Sequence, residues 1–256
     1  MLLSQKTGLI VGVANKRSIA WAIAQKAAAA GARLALTYPS ERLEENVREL
    51  AAQLADPLVL PCDVASDQQI ADLAVAVERE FGGLDFLVHG AAFAPQAELS
   101  SPFVDTSREG FRVALDVSVY SLIALTRAVT PLMERRGGGT VLTLTFIGSQ
   151  RVFTNYNVMG VAKAALESSV RYLASDLGPR NIRVNAISAG PIKTLAAAGI
   201  SGFSSILQVY RERAPLHRNV EAAEVADAAV FLLGPESRAI TGEILMVDSG
   251  YHIVGV

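Results

Sequence analysis

The 256 residues are 51% hydrophobic and 19% charged, with a net charge of -2 and a single cysteine, Cys62. That balance excludes a disordered chain, gives no attraction toward nucleic acid or an anionic membrane, and leaves Cys62 without an intrachain disulfide partner. The length suits one domain, 1–256, with a large core.

From Met1 to Gly12 the chain has Lys6 inside a short apolar run and no signal-peptide layout, and no apolar stretch in the sequence reaches the ~18 residues of a membrane span. A cytoplasmic protein is expected. Leu9-Ile10-Val11 predicts a buried strand, Gly12 to Ala20 a turn, and Trp21 to Ala30 an alanine-rich helix with Ser18 as its cap. Strand, glycine turn and helix in that order make a phosphate site, because backbone amides and the helix dipole face the anion. The second and third glycines of the usual dinucleotide fingerprint are missing after Gly12.

Arg33 to Tyr38 reads as the second strand, and Ser40 as the cap of a helix from about Glu41 to Leu54. No acidic residue stands at that strand end to meet an adenosine ribose, so the choice between NADH and NADPH stays open, with Lys16, Arg17 and Arg42 as candidates for a 2'-phosphate. Leu58 to Leu60 predicts the third strand, leading to Asp63, which is either a turn residue or a cofactor contact near the adenine. Ser66 and Gln69 predict a capping box for a helix over Asp67 to Phe81. Leu84 to His89 is the fourth strand, followed by the small residues Gly90-Ala91-Ala92, where a flat ligand can lie against backbone. His89 reads as a packed residue, and the three histidines His89, His217 and His252 lie too far apart in sequence to suggest a metal site.

A long helix is expected over Arg108 to Arg135, a fifth strand over Thr140 to Phe146, a helix from Tyr156 to Leu177, and a sixth strand over Ile182 to Ile187. The small residues from Leu195 to Ser205 predict a mobile flap over a ligand crevice, about residues 192–213 in all. Glu221 to Leu233 predicts a helix and Ile244 to Val247 a final strand. The unbroken alternation of strand and helix argues for an α/β, Rossmann-like doubly wound parallel sheet of about seven strands with helices on both faces.

Seven positions along a helix is almost two turns, so Tyr156 and Lys163 share one face. A free phenol titrates near ~10 and an amine near ~10.4; an adjacent ammonium lowers the phenol and makes it a better proton donor to a developing oxyanion. Gly160 and Ala162 between them leave room for a ligand.

These residues carry a resemblance. The chain resembles the short-chain dehydrogenase/reductase superfamily, and within it the bacterial enoyl-acyl-carrier-protein reductases. Six residues separate Tyr156 from Lys163, the enoyl reductase spacing, where most of the superfamily has three. Asn155 to Gly160, Arg183 to Ile192, the Asn15 to Ala20 turn and Phe93-Ala94-Pro95 are similar to the same group. The resemblance implies hydride transfer from NADH, with NADPH possible, to the β-carbon of a trans-2-enoyl thioester. It implies that Tyr156 steadies the enolate oxygen and that Lys163 holds the nicotinamide ribose. It places Gly12, Ser18, Ile19, Asp63, Val64, Ala91, Lys163, Ile192, Lys193, Thr194, Leu195 and Ala196 along the cofactor, and Ala94, Phe146 and Tyr156 at the substrate. It also implies a homotetramer packed through the long helices, for which Ala114, Leu115, Val119, Leu122, Ala165, Ser169 and Leu173 are compatible residues. The acyl carrier protein is the implied partner, with Lys193, Arg211, Arg213 and Arg218 as candidate contacts for its acidic surface.

The chain departs from the family pattern in three respects. Phe146 stands where a second active-site tyrosine is usual, ten residues before Tyr156; Pro39 replaces a polar adenosine contact; and Ala91-Ala92 replaces a larger residue followed by glycine, which narrows the space over the nicotinamide. The rival readings are a carbonyl-reducing member, which needs a serine where this chain has Thr143, and a nucleotide-binding member without turnover, for which Phe146 argues.

Overall fold

Short aliphatic runs form the strands β1 (Thr7–Val11), β2 (Arg33–Tyr38), β3 (Leu58–Pro61), β4 (Phe86–His89), β5 (Gly139–Thr145), β6 (Ile182–Ala189) and β7 (Ile244–Val247). In the computed structural model, which describes residues 1–195 and 197–255, they pair in parallel as one seven-stranded sheet in the order β3-β2-β1-β4-β5-β6-β7. The helices are α1 (Ile19–Ala29), α2 (Glu41–Ala51), α3 (Asp67–Phe81), α4 (Gln96–Ser100), α5 (Arg108–Leu115), α6 (Ser121–Glu134), α7 (Asn157–Leu177), α8 (Phe203–Arg213) and α9 (Ala222–Leu233).

Alternation along each strand divides the apolar side chains between two layers. Leu9, Val11, Leu87, Val141 and Val184 face α3, α6 and α7. Ile10, Val88, Leu142 and Ile187 face α1, α2 and α9. Successive crossovers turn back between β1 and β4, so the carboxyl ends of these two strands open a crevice at the topological switch point, where ligands of such sheets bind.

Several local expectations are corrected. Ser18 stands at the amino end of α1 without a side-chain cap bond; its hydroxyl accepts instead from the amides of Ala14 and Asn15, both at 3.1 Å, and pins the turn after β1. Ser40 makes no cap bond either. Ser66 does accept from the Gln69 amide, but the Gln69 side chain reaches back to the Asp63 amide rather than to Ser66, so the capping box is half formed.

The expected helix over Arg108 to Arg135 contains a wider π-helical turn at Asp116–Tyr120. That turn carries the buried Ser118, whose hydroxyl accepts from the Phe93 amide at 3.0 Å and donates to the Phe93 carbonyl at 3.2 Å. Widening the helix there ties it to the loop after β4. The run from Arg108 to Glu134 is long and apolar enough to cross a membrane by length and composition, which the sequence reading did not anticipate because polar residues interrupt it; 56% of its most apolar window is buried within the chain.

Candidate active site

Gly12 and Gly90 meet at the mouth of the switch point. Gly12 has a φ of +103°, and a Cβ there would lie 2.5 Å from the Gly90 backbone. The Gly90 amide also donates to the Val11 carbonyl at 2.8 Å. Only hydrogen at these α-carbons lets the two strand ends approach so closely. A turn pinned by Ser18, with α1 behind it, therefore presents backbone to the crevice, and this cradle fits the diphosphate of a dinucleotide. Beside it a cavity of about 320 Å³ is lined by Arg17, Lys193, Thr194, Ala197, Phe203 and their neighbours, so the turn after β1 and the chain after β6 face one space.

Tyr156 immediately precedes α7, and Lys163 lies in its second turn; both are buried, with 9% and 7% exposure. Burial pushes the phenol well above its ordinary range, and the Glu167 carboxylate adds to the rise. The expectation that the ammonium would leave the phenol more acidic is thus corrected, because desolvation and the Glu167 charge set the direction. Tyr156 is held neutral and is suited to donate a hydrogen bond. Burial pushes Lys163 down to about 8, against the opposing pull of Glu167, and its Nζ donates to the Leu144 carbonyl at 2.8 Å. Glu167 is itself 5% exposed and accepts from Thr145 Oγ1 at 2.7 Å.

Gly160 does not leave room for a ligand. A Cβ there would sit 2.8 Å from the Gly148 carbonyl, and one on Gly148 would sit 2.6 Å from the Tyr156 ring. The space is taken by backbone, which lets α7 pass the turn after β5 closely enough to set Tyr156 against it. Ala162 is fully buried in the core. Phe146 meets Tyr156 edge to face, with ring centroids 5.1 Å apart, and packs on Phe153 at 4.8 Å and Tyr210 at 6.5 Å. Thr143 is fully buried and its hydroxyl is engaged by His89, 2.9 Å from Nδ1 and donating to the His89 carbonyl at 3.1 Å. His89 Nε2 lies 2.7 Å from Ser121 Oγ. Burial, then the charge of Lys163, pushes this histidine down to about 3, so it is a neutral packed residue.

The description of the enoyl-(acyl carrier protein) reductase family matches residues 12–252. The chain is 53% identical over 256 residues to the NADH-dependent enoyl-[acyl-carrier-protein] reductase FabI of Bacillus cereus, covering 99% of each. The chain belongs to the enoyl-acyl-carrier-protein reductase family. Identity to the corresponding Aquifex aeolicus reductase is 51% over 255 residues, covering 100% of this chain and 94% of that one. The crystal structure of the Aquifex aeolicus reductase superposes with a TM-score of 0.97 over 100% of both chains. That of the Bacillus cereus reductase with NADP+ and indole naphthyridinone gives 0.97 over 100% of this chain and 99% of that one.

In this reductase Gly12, Ser18, Ala91, Ala94, Ile192, Lys193, Thr194 and Leu195 lie on the segments that follow β1, β4 and β6, Ile19 opens α1 and Lys163 lies on α7. Ala196 lies outside the described residues. Asp63 and Val64 follow β3; one carboxylate oxygen of Asp63 accepts from the Ala65 amide at 3.0 Å, which makes it a turn residue whatever else it contacts. Of the cationic candidates, Lys193, Arg211 and Arg213 are exposed, whereas Arg218 is paired with Glu224 at 2.6 Å. Sequence reasoning passed over Ser118, Glu167 and Tyr210. The spacing of Glu167 four residues after Lys163 on the same helix is the only signal for it, and the other two carry none.

Proposed function

We infer that this reductase reduces the carbon-carbon double bond of trans-2-enoyl-acyl-carrier-protein thioesters, the closing step of the type II fatty-acid elongation cycle. The observation that carries the reading is the buried pair of a neutral Tyr156 and a cationic Lys163 at the reductase spacing. NADH, or NADPH in its place, supplies a hydride to the substrate β-carbon when bound. Charge then develops on the thioester oxygen, and the Tyr156 hydroxyl donates to it, an interaction that strengthens as the charge grows. A phenol kept neutral in a dry site holds its proton for this bond, and a proton from water completes the α-carbon. Lys163 holds the ribose hydroxyls and contributes positive charge beside the phenol.

Gly12, Ser18 and Ile19 support the diphosphate, Asp63 and Val64 the adenine side, and Ala91 and Ile192 to Ala196 the nicotinamide side. Ala94 and Phe146 form substrate walls. Residues 192–213 act as a flap, supported by the small side chains at its start and by the cavity that its residues share with Arg17. The whole chain, 1–256, serves as one dinucleotide-binding and catalytic domain around the shared sheet. A cytoplasmic homotetramer fits the exposed Phe111, Tyr120, Val161 and Tyr172 on the helices named for that contact; Ala114, Val119 and Leu122 are buried within the chain and leave Leu115, Ala165, Ser169 and Leu173 for it. Lys193, Arg211 and Arg213 are the candidates for the acidic carrier protein, since Arg218 already has its carboxylate.

A carbonyl reductase is disfavoured because the Thr143 hydroxyl is spent on His89. A protein without turnover is disfavoured by the retained Tyr156 and Lys163. The test is Tyr156→Phe in an assay of NADH oxidation by an enoyl thioester. The reading expects turnover to fall at least about a hundredfold with NADH binding retained; undiminished turnover would remove Tyr156 from the mechanism.

A further inference from the structure

Tyr210 is fully buried on α8, yet its hydroxyl has no hydrogen-bond partner among the described residues. Its ring stacks on Tyr251 with centroids 3.8 Å apart and lies nearly parallel to Phe146 at 6.5 Å, with an interplanar angle of 27°. Phe146 in turn touches Tyr156, so Phe146, which packs on Phe153 as well, lies between two phenols.

A buried hydroxyl without a partner costs about 1–3 kcal/mol, and phenylalanine would fill the same aromatic space without that cost. The Asp248 carboxylate is engaged by other donors. Asp248 Oδ1 is taken by the Gly250 amide at 3.0 Å and by His252 Nδ1 at 2.9 Å, and Oδ2 by the His252 amide at 2.9 Å. The Tyr210 hydroxyl thus has its donor free for a group that enters the site. Tyr210 lies in the last turns of α8, the helix that forms the second half of the 192–213 segment and starts from Gly202 at a φ of +78°.

We propose that Tyr210 supplies, from the flap side, the phenol hydroxyl that position 146 lacks, and donates a hydrogen bond to a carbonyl oxygen of the bound thioester substrate. This rests on the reading of Tyr156 and Phe146 as the substrate site. Tyr210 is a substrate-positioning residue, so its effect falls on substrate binding more than on the chemical step.

The experiment measures KM and kcat for an enoyl-coenzyme A thioester, NADH affinity by fluorescence, and melting temperature, for the parent chain, Tyr210→Phe, Phe146→Tyr and the double variant. Tyr210→Phe is expected to raise the thioester KM about tenfold, with kcat within about twofold and NADH affinity unchanged. Phe146→Tyr placed on that background is expected to restore the KM. A Tyr210→Phe chain with parental KM and a raised melting temperature would overturn the proposal and leave Tyr210 an aromatic plug. So would a loss of NADH affinity, or a double variant that stays at the single variant's KM. Failure of the parent chain to turn over the thioester at all would instead overturn the reading of the reaction.

Discussion

Lys163 should make the stability of this protein rise with pH, against the usual trend for a lysine that gains a partner. Lys163 is 7% exposed, and its ammonium donates to the Leu144 carbonyl. The gap between about 8 in the folded chain and 10.5 for a free lysine corresponds to roughly 3 kcal/mol at ~1.4 kcal/mol per pH unit. Because the folded value lies below the unfolded one, the unfolded chain holds more protons between pH 8 and 10.5, and stability increases across that window. The cost of the buried charge is full below pH 8 and gone above 10.5. Replacing Lys163 by Met removes the titrating group while keeping an unbranched side chain. Urea unfolding of both proteins at pH 7 to 10, followed through the buried Trp21, gives a difference from which the other titrating groups cancel. The parent should gain about 2 kcal/mol over the variant between pH 7 and 10. A difference that stays flat with pH would refute a desolvated ammonium, and with it the dry environment assigned to Tyr156.

Other consequences follow from the same packing. In its proposed role at the ribose, Lys163 must be charged, so kcat/KM for NADH should fall as pH rises through about 8; a profile level to high pH would count against the role. Gly148→Ala places a methyl 2.6 Å from the Tyr156 ring and should lower kcat by about a hundredfold while the circular dichroism spectrum is kept. Parental kcat in that variant would mean that Tyr156 need not be held where it lies. Gly12→Ala meets the Gly90 backbone at 2.5 Å from a φ of +103°; it should destabilise the chain by about 1–3 kcal/mol and raise the KM for NADH, and an unchanged KM would separate the glycine contact from cofactor binding.

Much of the fold is legible in the sequence because the strands are short aliphatic runs separated by glycine, proline or capping signals. β2 over Arg33–Tyr38, α3 over Asp67–Phe81 and β7 over Ile244–Val247 fall where patterning puts them. What the pattern cannot convey is which polar atoms meet across long stretches of chain. Ser18 is a strong capping residue by type, yet its hydroxyl is drawn to two amides of the turn before it. Gly160 reads as open space, and only the approach of the turn at Gly148 reveals that it is filled. The acidity of Tyr156 escapes the sequence for a related reason: a sequence shows the neighbouring cation but not the loss of water around both groups. Tyr210 and Phe146 are 64 residues apart in the chain, and nothing in either segment announces their contact.

The central claim is the enoyl reduction, and nicotinamide absorbance tests it most directly. Purified protein is given NADH, and separately NADPH, with either a trans-2-enoyl thioester or a 3-ketoacyl thioester. Oxidation of NADH with the enoyl substrate alone, lost in Tyr156→Phe, is the predicted result. Oxidation with the keto substrate alone would contradict the account and move the chemistry to carbonyl reduction.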